Sequence, residues 1–337
     1  MDDLFSDPRD AAQEVLLKTS TFTAVALVVA YTTLIIACAR AEDGEALDTT
    51  TKTAVVSTIV SGIDASGDAS IGPDGQVYLA DFGATLENAG GQNIYRIAPD
   101  GSSVDTLNRD FGGASGNEFG ADAALYQSDV ARGEAWRVTM DGSRTLLATG
   151  LESPVGITHA AGGATYVTEC TADAVTRIDA GGETTRIAQG APLLCPNGLT
   201  LAPDGNLYAV NFRDGAMIRI HPATGATSVV ATIPGGGNGH IAWANGRFYV
   251  ASFRGHRIYS VMTDGSMCLI AGSGTAGNDD GTPLLSTFYR PNGVTISADG
   301  NTLYTNTITD LADQRALHPN ALRRIDGLLA LLDCPAD

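Results

Sequence analysis

Basic residues are scarce in this chain: 20 Lys and Arg stand against 38 Asp and Glu over 337 residues, a formal net charge of −18. Such a surface repels phosphate backbones, which sets nucleic acid aside as a partner. Charged residues of either sign make up only 17%. The chain also has no nucleophile elbow, no phosphate-binding loop, no zinc spacing of Cys and His, and no dinucleotide fingerprint. Those absences remove several common enzyme scaffolds.

Only one long apolar run stands out, Thr21 to Ala37, preceded by Lys18 and followed by Cys38. It is short for a membrane span and suits the h-region of a signal peptide. Ile35-Ile36-Ala37-Cys38 resembles the lipobox of bacterial lipoproteins, in which the cysteine is acylated and becomes the first mature residue. A positive n-region is missing: Asp2, Asp3, Asp7, Asp10 and Glu14 face only Arg9 and Lys18. Translation from near Val15 would leave Lys18 as the only charge. Residues 1–38 therefore read as a signal peptide with a lipidated Cys38, or as an uncleaved N-terminal anchor. Residues 39–53 read as a polar tether. Either way, residues 54–337 are expected outside the cytoplasm, facing the periplasm or the cell exterior. That compartment allows disulfides among Cys170, Cys195, Cys268 and Cys334.

What is abundant is glycine, 40 residues, set in short turn signals, with 44% hydrophobic residues to build a core. A tyrosine near the end of an apolar strand recurs at Tyr78, Tyr126, Tyr166, Tyr208, Tyr249 and Tyr304. Eleven residues before each of the first five lie Gly67, Ser115, Val155, Asn197 and Asn238; Asn292 is the sixth counterpart. A turn residue precedes the tyrosine, as in Asp74, Asp122, Asp204 and Asn245. A third strand follows with a regular arginine (Arg96, Arg137, Arg177, Arg219, Arg324), then a second turn and a fourth strand. Six units of four strands predict an all-β, six-bladed β-propeller of antiparallel blades, whose sheets bury both faces by packing around an axis. Ala54 to Ile63 precedes the first inner strand and is expected to complete the last blade. The recurring arginine reads as structural, pairing with turn acids.

Units such as PNGLTLAPDGNLYAVNF resemble NHL repeats and the related SMP-30/gluconolactonase propellers over about residues 55–330. The resemblance implies a metal site with a glutamate, an asparagine and an aspartate as ligands. Asn197 matches the family asparagine. Gly67 stands at the glutamate position, with Asp68 beside it, and Asn238 stands at the aspartate position, so two ligand charges are missing.

Strand alternation directs two rings to one channel mouth. The first is Gly67, Ser115, Val155, Asn197, Asn238 and Asn292. The second is Asp81, Asp129, Glu169, Asn211, Ser252 and Thr307. Carboxylates and amides suit a hard cation, Ca²⁺ above all, with Asn197, Asn238, Asp81, Asp129 and Glu169 as candidate ligands. Phe212-Arg213 and Phe253-Arg254 occupy matching loops, where paired guanidiniums suit a carboxylate or sugar acid; Asn238 and Asn292 border them. His240, or one of Asp129 and Glu169, is the candidate proton carrier. Glu118 and Asp279-Asp280 are expected in long loops. A Cys170–Cys195 disulfide is expected at the mouth, overhung by Gly272–Arg290 and Asp310–Asn320. These readings give a monomeric, lipid-anchored propeller binding a small ligand or an extracytoplasmic protein. The alternatives are a metal-dependent hydrolase of lactones and a lyase-like enzyme acting on a cyclic or sugar-acid substrate.

Overall fold

The computed structural model describes residues 54–332. The export segment, Cys38, the tether and Cys334 lie outside the described residues. Within them, 24 strands form six four-stranded antiparallel sheets. Each inner strand contacts the next blade's inner strand, and the sixth contacts the first. The chain is thus a six-bladed β-propeller. The sixth sheet takes its outermost strand, Val55–Ile63, from the start of the described region and pairs it with Asn320–Asp326. That closes the ring by joining the start of the described chain to its end within one sheet.

The strand sequences follow burial. The second strand of each blade is covered on both faces, so Val77–Ala80 and Leu207–Asn211 are buried throughout, and their counterparts in blades five and six are buried but for their first residue. The outer strands touch solvent, as in Arg144–Ala148, where only Ala148 is buried.

The repeated tyrosine is a packing unit. Tyr78, Tyr208 and Tyr249 are almost completely buried. The Tyr78 hydroxyl donates to Asp74 at 2.9 Å and Tyr208 to Asp204 at 2.7 Å, while Asn245 donates to Tyr249 at 3.1 Å. Burial, reinforced by the Asp204 carboxylate, pushes the Tyr208 phenol up to about 12, so it remains a donor. The recurring arginine lies opposite the tyrosine in register. Arg137 pairs with the turn acid Asp122 at 2.7 Å; Arg96 and Arg324 bond Asp105 and Asp326 instead.

Blade five departs from simple counting. Tyr208 faces Thr200, but Tyr249 faces Ala242, because the blade-five hairpin is one residue shorter. His240 therefore takes the place that Gly198 has in blade four, and Asn238 takes the place of Pro196.

Candidate functional site

The carboxylate ring expected at the mouth is buried and spent on loop closure. Asp129 accepts from the backbone N–H of Gly112 at 2.8 Å and of Arg132 at 3.2 Å. Glu169 accepts from Glu152 N–H at 2.6 Å, from the Thr176 hydroxyl, and from Arg186 at 3.2 Å. Asn211, Ser252 and Thr307 bond the loops entering their own blades in the same way. Asp81 accepts from Gln92 N–H at 3.1 Å and faces His318 Nε2 at 3.0 Å. The amides are staples. Asn197 Nδ2 donates to the Asn238 carbonyl, Asn238 Nδ2 to Gly215, and Asn292 Nδ2 to Ser66.

This arrangement does not fit a divalent cation. Asn197 spends its NH₂ group on the Asn238 carbonyl, and Asp81, Asp129 and Glu169 sit in separate blades, each accepting from backbone N–H groups. Among the described residues no three His, Cys, Asp or Glu side chains come together as a metal-binding group.

Over the same end lies an apolar cluster of Cys195, Phe212, Phe253, Tyr289, Ile308 and Leu317. Cys170 and Cys195, 25 residues apart, form a disulfide beside it. Cys268 is also disulfide-bonded. On the cluster the Phe212 and Phe253 rings lie 5.5 Å apart. The Arg254 guanidinium lies 5.0 Å above Phe212, and that of Arg290 lies 5.7 Å from Phe253 and 5.1 Å from Tyr289. Arg213 is exposed beside them. Arg290 escaped the sequence reading as a ligand contact because it ends a long insert and has no counterpart in the repeat.

His256 and Arg290 both have positive φ, 56° and 51°, and Arg290 N–H donates to His256 Nδ1 at 3.1 Å. Burial, then the charges of Arg290 and Arg257, pull the His256 imidazole below its ordinary range, so it stays neutral and accepts. Strained non-glycine backbone of this kind concentrates at functional sites.

The axis itself is built of stacked six-membered rings, set by strand register. One level is Asp68, Gly116, Gly156, Gly198, His240 and Gly293. Four of its members are glycine because neighbouring backbones crowd there; a Cβ on Gly198 would lie 2.6 Å from His240 Cα. The two side chains meet: His240 Nδ1 lies 3.0 Å from Asp68 Oδ2, across the bare Gly293 of blade six. Two levels further along come Ser70, Glu118, Thr158, Thr200, Ala242 and Thr295, each opposite the blade's tyrosine. Glu118 is on the inner strand Ala114–Phe119, not in a loop. Burial pushes its carboxyl up to about 7, with the charge of Asp68 adding and Thr158 and the His159 backbone opposing. The last level, Ile71, Phe119, His159, Leu201, Trp243 and Ile296, is half-buried and forms a rim at the hairpin face. An axial cavity of about 250 Å³ is lined from these levels by Asp68, Ser70, Glu118, Thr200, Phe119 and Trp243, among others, with nothing from blade three.

Compared by sequence, the chain matches no family model and no curated protein. Solved structures match it by shape. A gluconolactonase from Xanthomonas campestris aligns at 18% identity with a TM-score of 0.61, over 80% of this chain and 89% of that one. An auxiliary nutrient binding protein from Bacteroides thetaiotaomicron aligns at 16% and 0.64, over 81% and 76%. Virginiamycin B lyase from Staphylococcus aureus aligns at 15% and 0.54, over 81% and 99%. Identities this low establish the fold, and it is the six-bladed propeller common to gluconolactonase-like, lyase and nutrient-binding proteins.

Proposed function

We propose that the protein is an extracytoplasmic propeller that binds a small anionic ligand, of sugar-acid or other carboxylate type, on its arginine–aromatic face. The observation that carries this reading is the stacking of Arg254 and Arg290 on Phe212, Phe253 and Tyr289. Stacking fixes a guanidinium plane before the ligand arrives, so less entropy is lost on binding. On a chain of net charge −18, a patch bearing Arg213, Arg254 and Arg290 is a local reversal of sign. A metal-assisted lactonase has the fold in its favour, but the donor set around Asn197 does not support it.

Calorimetric titration of the full chain with glucuronate and gluconate tests the reading. Saturable binding of at least one is expected. Arg254→Ala and Arg290→Ala should each weaken it about tenfold or more, because a charge-assisted hydrogen bond contributes roughly 1.5–3 kcal/mol. Arg213→Ala should have a smaller effect. Absence of binding, or binding indifferent to both main variants, would sink the proposal. The location rests on the lipobox and on the disulfides, which persist in oxidising compartments. Cys38→Ala is expected to abolish incorporation of labelled palmitate, and labelling that survives it would refute lipidation there.

A further inference from the structure

The axial cavity is chemically the opposite of the arginine face. It is lined by the carboxyl side chains of Asp68 and Glu118, by Asn117, Ser70 and Thr200, and by no arginine. Asn117 is 3% exposed, and neither its amide oxygen nor its amide nitrogen has a protein partner. The Ser70 hydroxyl and Glu118 Oε2 are likewise buried and unpartnered. Buried polar groups are nearly always hydrogen-bonded, so a cluster of unsatisfied ones in a cavity calls for a guest. Phe119 and Trp243 form part of the same lining, at the rim. Aromatic faces attract cations, and carboxylates hold them.

We propose that this cavity is a second binding site, for a small organic cation that joins a quaternary ammonium group to a hydroxyl. Its volume, about 250 Å³, lies below the range of pockets for drug-sized ligands, which limits the guest to a small molecule. The site lies apart from the arginine–aromatic face and does not depend on how that face is used. A cation favours the ionised form of Glu118, so binding displaces a proton wherever that carboxyl is protonated. The titratable groups packed around Glu118 are Asp68, Tyr126 and His159, with His240 beyond Asp68. The sign follows directly: the carboxyl is pushed up to about 7, so below that pH the proton competes with the guest. Affinity should then fall by up to about tenfold per pH unit on acidification.

The test is calorimetric titration of the full chain with choline and with its uncharged tert-butyl analogue. The expected result is saturable choline binding at about pH 8 that weakens towards about pH 6. The uncharged analogue should bind much more weakly. Glu118→Gln, isosteric and uncharged, should weaken choline binding about tenfold and abolish its pH dependence. Trp243→Leu, at the half-buried rim, should weaken binding without touching the carboxylates, and it covers a failure of the first variant to fold. Arg254→Ala should leave choline binding unchanged. Equal binding of the uncharged analogue, an unaffected Glu118→Gln variant, or no choline binding at about pH 8 would each overturn the proposal.

Discussion

Gly116→Ala is expected to cost at least about 3 kcal/mol of folding stability, whereas Gly162→Ala should be neutral or slightly stabilising. Both replace a glycine by the smallest side chain, and the difference lies in the neighbours. A Cβ on Gly116 would lie 2.2 Å from the Val155 carbonyl oxygen and 2.8 Å from Gly156 Cα. These are backbone atoms of the next blade, so no rotamer change relieves the clash. The inner strands of blades two and three would have to separate, and the displacement would pass around a closed ring. Gly162 sits in a hairpin turn with nothing within 4 Å of its would-be Cβ. Gly150→Ala isolates a third effect. It meets no atom, but its φ of 77° is costly for alanine, which predicts a loss of about 1 kcal/mol. Denaturant unfolding of the three variants checks the ranking. Gly116→Ala within about 1 kcal/mol of wild type would mean that the blades are not in close contact at the axis.

The same crowding explains what was legible. The tyrosine repeat exposed the blade count because each tyrosine fills one interblade gap, and a chain cannot vary that residue freely. Closure by Val55–Ile63 followed from counting three strands in the last unit and a spare one in front. Cys170 and Cys195 were legible as neighbours because both adjoin strand ends on one side of adjacent blades, and the structure joins them.

The axial site was not legible, for two physical reasons. First, a hairpin shortened by one residue moves every later residue by one place in register, and side chains then change faces. Counting from Tyr249 therefore aligned Asn238 with Asn197 and hid His240 in the glycine level. Once the register is known, the signal is plain: Asp68 and His240 are the two non-glycines in a ring where glycine is otherwise required. Second, residue type does not reveal direction at a strand end. Asp129 and Glu169 look like ligands in a list of residues. Yet an entering loop leaves N–H groups that must be satisfied, and a carboxylate 17 residues on satisfies them. Glu118 was misplaced because a buried carboxyl inside a strand runs against the usual cost of burying charge.

Arg323→Ala is expected to destabilise the protein by about 3–5 kcal/mol and to open the segment from Gly272 to Arg290 to proteases. Arg324 is the recurring blade arginine; Arg323 is an addition to it, and its side chain is fully buried. Its guanidinium donates to the carbonyls of Thr287 and Asp279 at 3.1 and 3.0 Å and to the Asp280 carboxylate at 2.9 Å. It also lies 4.9 Å from the centre of the Phe288 ring. Asp280 in turn accepts from the N–H and hydroxyl of Thr58 on the outermost strand of blade six. One side chain thus ties the insert to the strand that closes the ring. Removing it leaves two carbonyls without their donor and a void beside Phe288, and each of these carries its own penalty. Lysine keeps the charge but cannot reproduce the planar fork that reaches three acceptors, so Arg323→Lys should recover only part of the loss. Unfolding in guanidinium and limited proteolysis read the two effects separately. If Arg323→Ala unfolds earlier while the insert stays protected, the closure strand depends on Arg323 and the insert does not. If neither changes, the Asp280–Thr58 contact alone is enough to close the ring.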